Sequence, residues 1–89
     1  YLLRVTGDSM IDAGIFDGDI LVVCGALQAR EGDIVVGLVD NQNTVKRYMK
    51  DSKGRVYLKP ENVNYDNIYP EGDLCLQGVV TGLIRYYKR

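Results

Sequence analysis

Apolar residues in this chain come in short runs rich in β-branched side chains, each bounded by Gly, Asp or Asn. Leu2–Val5, Ile20–Val23, Ile34–Val39, Val56–Leu58 and Leu74–Ile84 read as strands on that pattern. The stretch "NTVKRYM" alternates instead. Thr44, Lys46 and Tyr48 fall on one face and Val45, Arg47 and Met49 on the other, as in a half-buried strand. "DNQN" before it is hairpin chemistry, and "DSKGR" after it is another turn. An acid-Gly-Asp step precedes three apolar runs, "DGDILVV", "EGDIVVG" and "EGDLCLQGVV", at no fixed period. It reads as turn chemistry, with glycine supplying a positive φ and aspartate bonding nearby backbone, and it is too sparse in oxygen ligands for calcium. Helix is scarce. "SMIDAGIF" allows one turn, capped by Ser9 or Asp8 and stopped by Gly14, and Pro60 and Pro70 flank the polar loop "ENVNYDNIYP". The pattern predicts an all-β domain of about seven strands in a curled, partly closed sheet.

Composition narrows the function more than the fold. The 89 residues form one compositional regime, so residues 1–89 read as a single domain. Eleven basic and twelve acidic residues leave a net charge of −1, which gives no general pull toward nucleic acid. The ending "IRYYKR" is locally basic, with Arg85, Lys88 and Arg89, and reads as a solvated chain end. Histidine is absent, and Cys24 and Cys75 lack metal-ligand spacing, so a zinc site is not expected. Both cysteines read as free strand residues in a reducing, intracellular setting. No apolar run is long enough to span a bilayer, and no signal-peptide pattern follows the start. A beginning inside "YLLRV" reads as a fragment or processed product, truncated at its N-terminus.

The chemistry worth weighing centres on "GDSM". A serine hydroxyl is a poor nucleophile until a base removes its proton, and without histidine a Ser-His-Asp triad is impossible here. Carboxylates and lysines are the remaining candidate bases, and a Ser-Lys pair is a known variant of the triad logic. Its lysine must be neutral, which requires burial, since the ordinary lysine pKa is near 10.4. Lys46, mid-strand, suits that better than Lys50, Lys53 or Lys59 in turn-rich segments or Lys88 in the tail. Thr44 points to the same side as Lys46 and can accept a hydrogen bond from the amine. The backbone N–H groups of Asp8 and Ser9, in a turn opened by Gly7, can serve as an oxyanion hole. On the residues alone the plainer reading stays open beside this one: a serine in a Gly-Asp turn, and a lysine reaching out to solvent.

The stretches "LRVTGDSMIDAGIFDGDILVV", "GDIVVGLVDNQNTVKRYMK", "LKPENVNYDNI" and "GVVTGLIR" resemble the LexA/UmuD-type self-cleaving serine peptidases of the bacterial DNA-damage response, over essentially the whole chain. The coupled pair "GDSM…DGD" and "TVKR" carries the resemblance most specifically. It implies Ser9 as nucleophile, Lys46 as base, and Gly7, Met10 and Thr44 as supporting residues. It also implies coiled β-sheets, no cofactor or metal, a bacterial cytoplasmic setting and a homodimer. The substrate would be an Ala-Gly or Cys-Gly bond upstream of the domain, cleaved when a RecA–single-strand DNA filament stimulates the protein. Ala13-Gly14 and Cys24-Gly25 match that dipeptide, but their places in the motif and after a strand argue against either. In one branch of the family cleavage releases a helix-turn-helix repressor domain. In the other it converts the protein into a subunit of an error-prone polymerase; phage repressors share the same domain, and signal peptidase I is more distantly similar. Direct DNA binding by this segment is not expected. A second reading is a processed module for dimerisation or polymerase docking, with Leu74–Ile84 as an edge strand pairing across a two-fold axis.

Overall fold

The structure, a computed structural model, describes residues 1–72 and 74–87. Six strands account for nearly all of its regular structure: β1 (Leu2–Arg4), β2 (Ile20–Cys24), β3 (Ile34–Val39), β4 (Gln42–Lys50), β5 (Val56–Lys59) and β6 (Cys75–Ile84). One turn of 3-10 helix, Ile11–Ala13, lies between β1 and β2. The protein is all-β, as the pattern predicts, with six strands rather than about seven. They form one antiparallel sheet in the order β1-β2-β6-β3-β4-β5, open at β1 and β5.

β6 holds the sheet together by changing partners along its length. Its first half pairs with β3, from Leu38↔Cys75 to Val35↔Val79, and its second half pairs with β2, from Cys24↔Val79 to Ile20↔Ile84. Only Val79 is paired on both sides. The expectation of an edge strand at Leu74–Ile84 is therefore corrected: β6 lies inside the strand order, although Val80–Ile84 keeps one unpaired side. Register shifts at Val22/Val23 and Val36/Gly37 accompany the handover, as bulges do where a sheet twists sharply.

Consecutive residues Val35 and Val36 are both fully buried, which strand alternation permits only if both faces of the sheet are covered. One face packs Val36 with Val5, Met10, Ile15, Leu21 and Val23; the other packs Val35 with Leu58 and Val79. Val45 packs on the first cluster and Tyr48 on the second, which bears out the alternation predicted for β4.

The turns follow their residue chemistry. Asp40 and Asn41 join β3 to β4 with φ of 49° and 63°, the two-residue type I′ turn whose twist matches antiparallel strands. In the first two acid-Gly-Asp steps the glycines have positive φ, and Asp19 and Asp33 accept hydrogen bonds from the Phe16 and Arg30 N–H groups at 2.7 and 2.8 Å. The third aspartate, Asp73, lies outside the described residues.

Two local expectations are corrected. The 3-10 turn is entered from Met10 without a side-chain cap, so neither Ser9 nor Asp8 caps it; it ends at Gly14 (φ 77°), as expected. Arg85 is not a solvated tail residue. Its guanidinium donates to both Asp19 oxygens, at 2.8 and 2.7 Å, and lies 4.6 Å over the Phe16 ring. Lys88 and Arg89 lie outside the described residues. Cys24 and Cys75 are both free. No helix of the described residues is long and apolar enough to cross a membrane.

Candidate active site

Gly7 takes a φ of 84°, which turns the chain out of β1, and its N–H donates to Asp17 Oδ1 at 2.8 Å. Three residues later Met10 is buried in the first core cluster, so the bend is pinned on both sides of Ser9. On the other wall of the site, β5 pairs with β4 only over Arg47–Lys50. The outer edge of β4 is therefore open from Gln42 to Lys46, and Lys46 is its last residue before that pairing begins. A cleft of about 310 Å³ lies between the two walls, with Leu3–Thr6, Ser9 and Met10 on one side and Asn43–Lys46 on the other.

Across this cleft Lys46 Nζ donates to Ser9 Oγ at 2.9 Å and to the Val45 carbonyl at 3.0 Å. Lys46 is only 8% exposed, and the four ion pairs among the described residues do not include it. A buried cation with no counter-charge is costly, and burial accordingly lowers the Lys46 pKa from its ordinary 10.5. In its neutral form, which burial favours, the amine can still donate to the Val45 carbonyl and can accept from the Ser9 hydroxyl across the same contact.

The supporting residues fare differently. Thr44 lines the cleft, but the partners of the amine are Ser9 and the Val45 carbonyl, so the expected Thr44 bond is replaced by a backbone one. A side chain cannot swing a backbone acceptor away, and this makes Val45 the firmer guide. The N–H groups of Asp8, Ser9 and Met10 donate to nothing among the described residues, and Ser9 and Met10 line the cleft. No cluster of three metal-ligating side chains occurs among the described residues. Ala13-Gly14 is held by hydrogen bonds from both its N–H groups to Met10 and Ile11 carbonyls, and Cys24 is paired in β2.

Sequence reasoning missed the segment that braces the bend from behind. The Glu61 carbonyl accepts the Asp12 N–H at 2.8 Å, and the Glu61 N–H donates to Met10 Sδ at 3.4 Å. Asn62 Nδ2 donates to the Asp8 carbonyl at 2.9 Å, and the Tyr65 hydroxyl donates to Asp8 Oδ1. Arg47 Nε donates to Glu61 at 2.6 Å and so ties this segment to β4, beside Lys46. "PENVNY" showed as a polar loop after a proline within one of the stretches that carry the resemblance, and nothing one-dimensional links it to residue 8.

Residues 1–81 match the family described as Peptidase S24-like. The chain belongs to that family. Peptidase S24-like proteins include the LexA/UmuD type, and this chain is a serine peptidase domain of the LexA type. It is 46% identical over 87 residues to a LexA repressor of Clostridium perfringens, covering 98% of this chain and 42% of that protein. A LexA repressor of Caldicellulosiruptor saccharolyticus is 52% identical over 85 residues, covering 96% of this chain and 41% of that protein. One from Erythrobacter litoralis is 44% identical over 88 residues, with 98% and 38% covered. The chain thus spans about two-fifths of the length of these curated relatives.

Proposed function

We propose that Ser9 and Lys46 are the catalytic dyad of a self-cleaving peptidase of the bacterial DNA-damage response. The observation that carries this reading is the 2.9 Å contact between a serine hydroxyl and the amine of a buried lysine with no acid beside it. Lys46 takes the Ser9 proton, and Oγ attacks the carbonyl carbon of the scissile bond. The Asp8 and Ser9 N–H groups hold the resulting oxyanion. Collapse breaks the C–N bond, the leaving amine takes the proton from Lys46, and an ester on Ser9 remains. Lys46 then deprotonates water, which hydrolyses the ester and restores Ser9. The substrate is an Ala-Gly or Cys-Gly bond upstream of the domain, and a RecA–single-strand DNA filament is the activator. The LexA repressors among the relatives favour the repressor branch over the polymerase-accessory one.

The test is cleavage of a peptide carrying the Ala-Gly bond, followed against pH. A Lys46 ammonium is inactive as a base, so the rate rises with pH and reaches half its maximum below 10.5, because burial lowers the pKa. Lys46→Ala should cost at least roughly 100-fold at pH 7. A flat pH profile, or undiminished cleavage by that variant, removes the dyad.

A second reading, compatible with the first, is a dimerisation module. It is favoured by the unpaired side of Val80–Ile84, beside exposed Leu83, Ile84, Tyr86 and Tyr87. Two such edges can pair around a two-fold axis. Sedimentation at micromolar concentration should show a dimer; a strict monomer rejects this reading.

A further inference from the structure

From the contact between the 60s loop and the serine bend, we infer that Asn62 is a positioning residue that aims the Ser9 N–H into the cleft; this deepens the dyad reading and rests on it. Asn62 is 6% exposed, and both ends of its amide are used. Its Oδ1 accepts the Asn64 N–H at 3.0 Å, which fixes the side-chain orientation and leaves Nδ2 to donate to the Asp8 carbonyl at 2.9 Å. The same carbonyl accepts a longer bond, 3.4 Å, from the Ile11 N–H.

The peptide bond carries the effect onward. In a trans peptide the C=O and the following N–H point in opposite directions within one rigid plane, and the described chain has no cis peptide. Holding the Asp8 carbonyl against Asn62 therefore turns the Ser9 N–H away from the 60s loop. That N–H donates to nothing among the described residues, although Ser9 lines the cleft. The Asp8–Ser9 plane turns about Asp8 ψ and Ser9 φ, and a hydrogen bond to its carbonyl opposes that rotation. Asn62 holds the carbonyl of that plane directly, and Tyr65, from the same loop, holds the Asp8 side chain. An oxyanion donor works only when it is already aimed, because reorientation during the reaction forfeits its advantage.

The experiment uses a p-nitrophenyl ester as acyl donor, with p-nitrophenolate release followed by absorbance and the acyl group located by mass spectrometry. Asn62→Ala should lower the maximal rate of Ser9 acylation by roughly 10- to 100-fold, with a KM within about twofold of the parent. The midpoint of the pH profile should not move, since Lys46 is untouched. Rates are normalised to folded protein by circular dichroism. Asn62→Asp, which keeps the shape and the acceptor for Asn64 but loses the donor, gives the same comparison should Asn62→Ala not fold. Parental rates in the folded variants, or a rate loss explained by a shifted pH midpoint, overturn the role given to Asn62. Failure of the dyad reading looks different: the parent itself would release p-nitrophenolate no faster than Ser9→Ala and carry no acyl group on Ser9.

Discussion

Lys46 occupies a place where a hydrophobic residue would be more stable, and the cost of keeping an amine there has a sign that can be measured. Its folded-state pKa lies below the ordinary 10.5, so between those two values the unfolded chain holds a proton that the folded chain has lost. Stability therefore rises with pH through that window, and the penalty is fully present below the folded pKa. Lys46→Met should raise the melting temperature at pH 7, and the gain should fade as pH approaches 10.5; calorimetry at several pH values checks both. A gain that does not change with pH would mean packing alone is responsible. The candidate residue types were legible at this scale, because the lack of histidine leaves carboxylates and lysines as bases for a serine and, of the lysines, Lys46 sits mid-strand. The guide for the amine was not. Thr44 was the natural choice by side-chain chemistry, yet the Val45 carbonyl took the role, and a backbone acceptor leaves no mark in a sequence.

Among the elements, β6 is the one whose place departs most from its pattern. A long apolar strand at the end of the chain reads as an edge, but here it joins two groups of strands by pairing with β3 and then β2. Gly78 lies at that handover. A Cβ there would meet Val23 Cγ1 at 2.7 Å and the Cys24 carbonyl oxygen at 2.9 Å, and backbone cannot move aside cheaply. Gly78→Ala should thus destabilise the domain by about 1–3 kcal/mol in urea unfolding. Gly82→Ala is the control: its nearest neighbour would be Val22 Cγ2 at an ordinary 3.5 Å, so its effect should stay below about 1 kcal/mol. Equal losses at both positions would mean that the close approach at Gly78 does not set the cost. Hairpins and turns were legible because their geometry is decided by two to four adjacent residues, as Asp40-Asn41 shows. The partner change in β6 depends on residues more than forty positions away.

For the whole molecule, the Asp19–Arg85 pair joins the start of β2 to the segment after β6 and also reaches the Gly14 carbonyl at 2.8 Å, close to the serine bend. Asp19 is 2% exposed, and hydrogen bonding from the Arg85 guanidinium, outweighing burial, keeps its carboxyl below the ordinary 3.8. A depressed carboxyl pKa contributes stability that is present above 3.8 and is lost as pH falls through the depressed value. Arg85→Ala leaves a buried carboxylate unpaired and should lower the melting temperature at pH 7 by roughly 5–10 °C. The loss should shrink at pH 3, where Asp19 in the variant is protonated. An equal loss at both pH values would assign the effect to packing on Phe16 rather than to charge.

The sequence by itself determined most strands and turns and named Ser9 and Lys46 as candidates for chemistry, because period-two alternation, glycine conformations and side-chain acidity are local properties. Only the tertiary structure decided that Ser9 and Lys46 meet, that Asn62 stands behind the serine peptide, and that Arg85 is tied down rather than solvated. Each of these is a contact between segments distant along the chain, and its geometry is set by how β6 divides its pairing and by what the two covered faces of the sheet exclude. Local patterns name the participants; the packing of both faces around one shared strand fixes their distances.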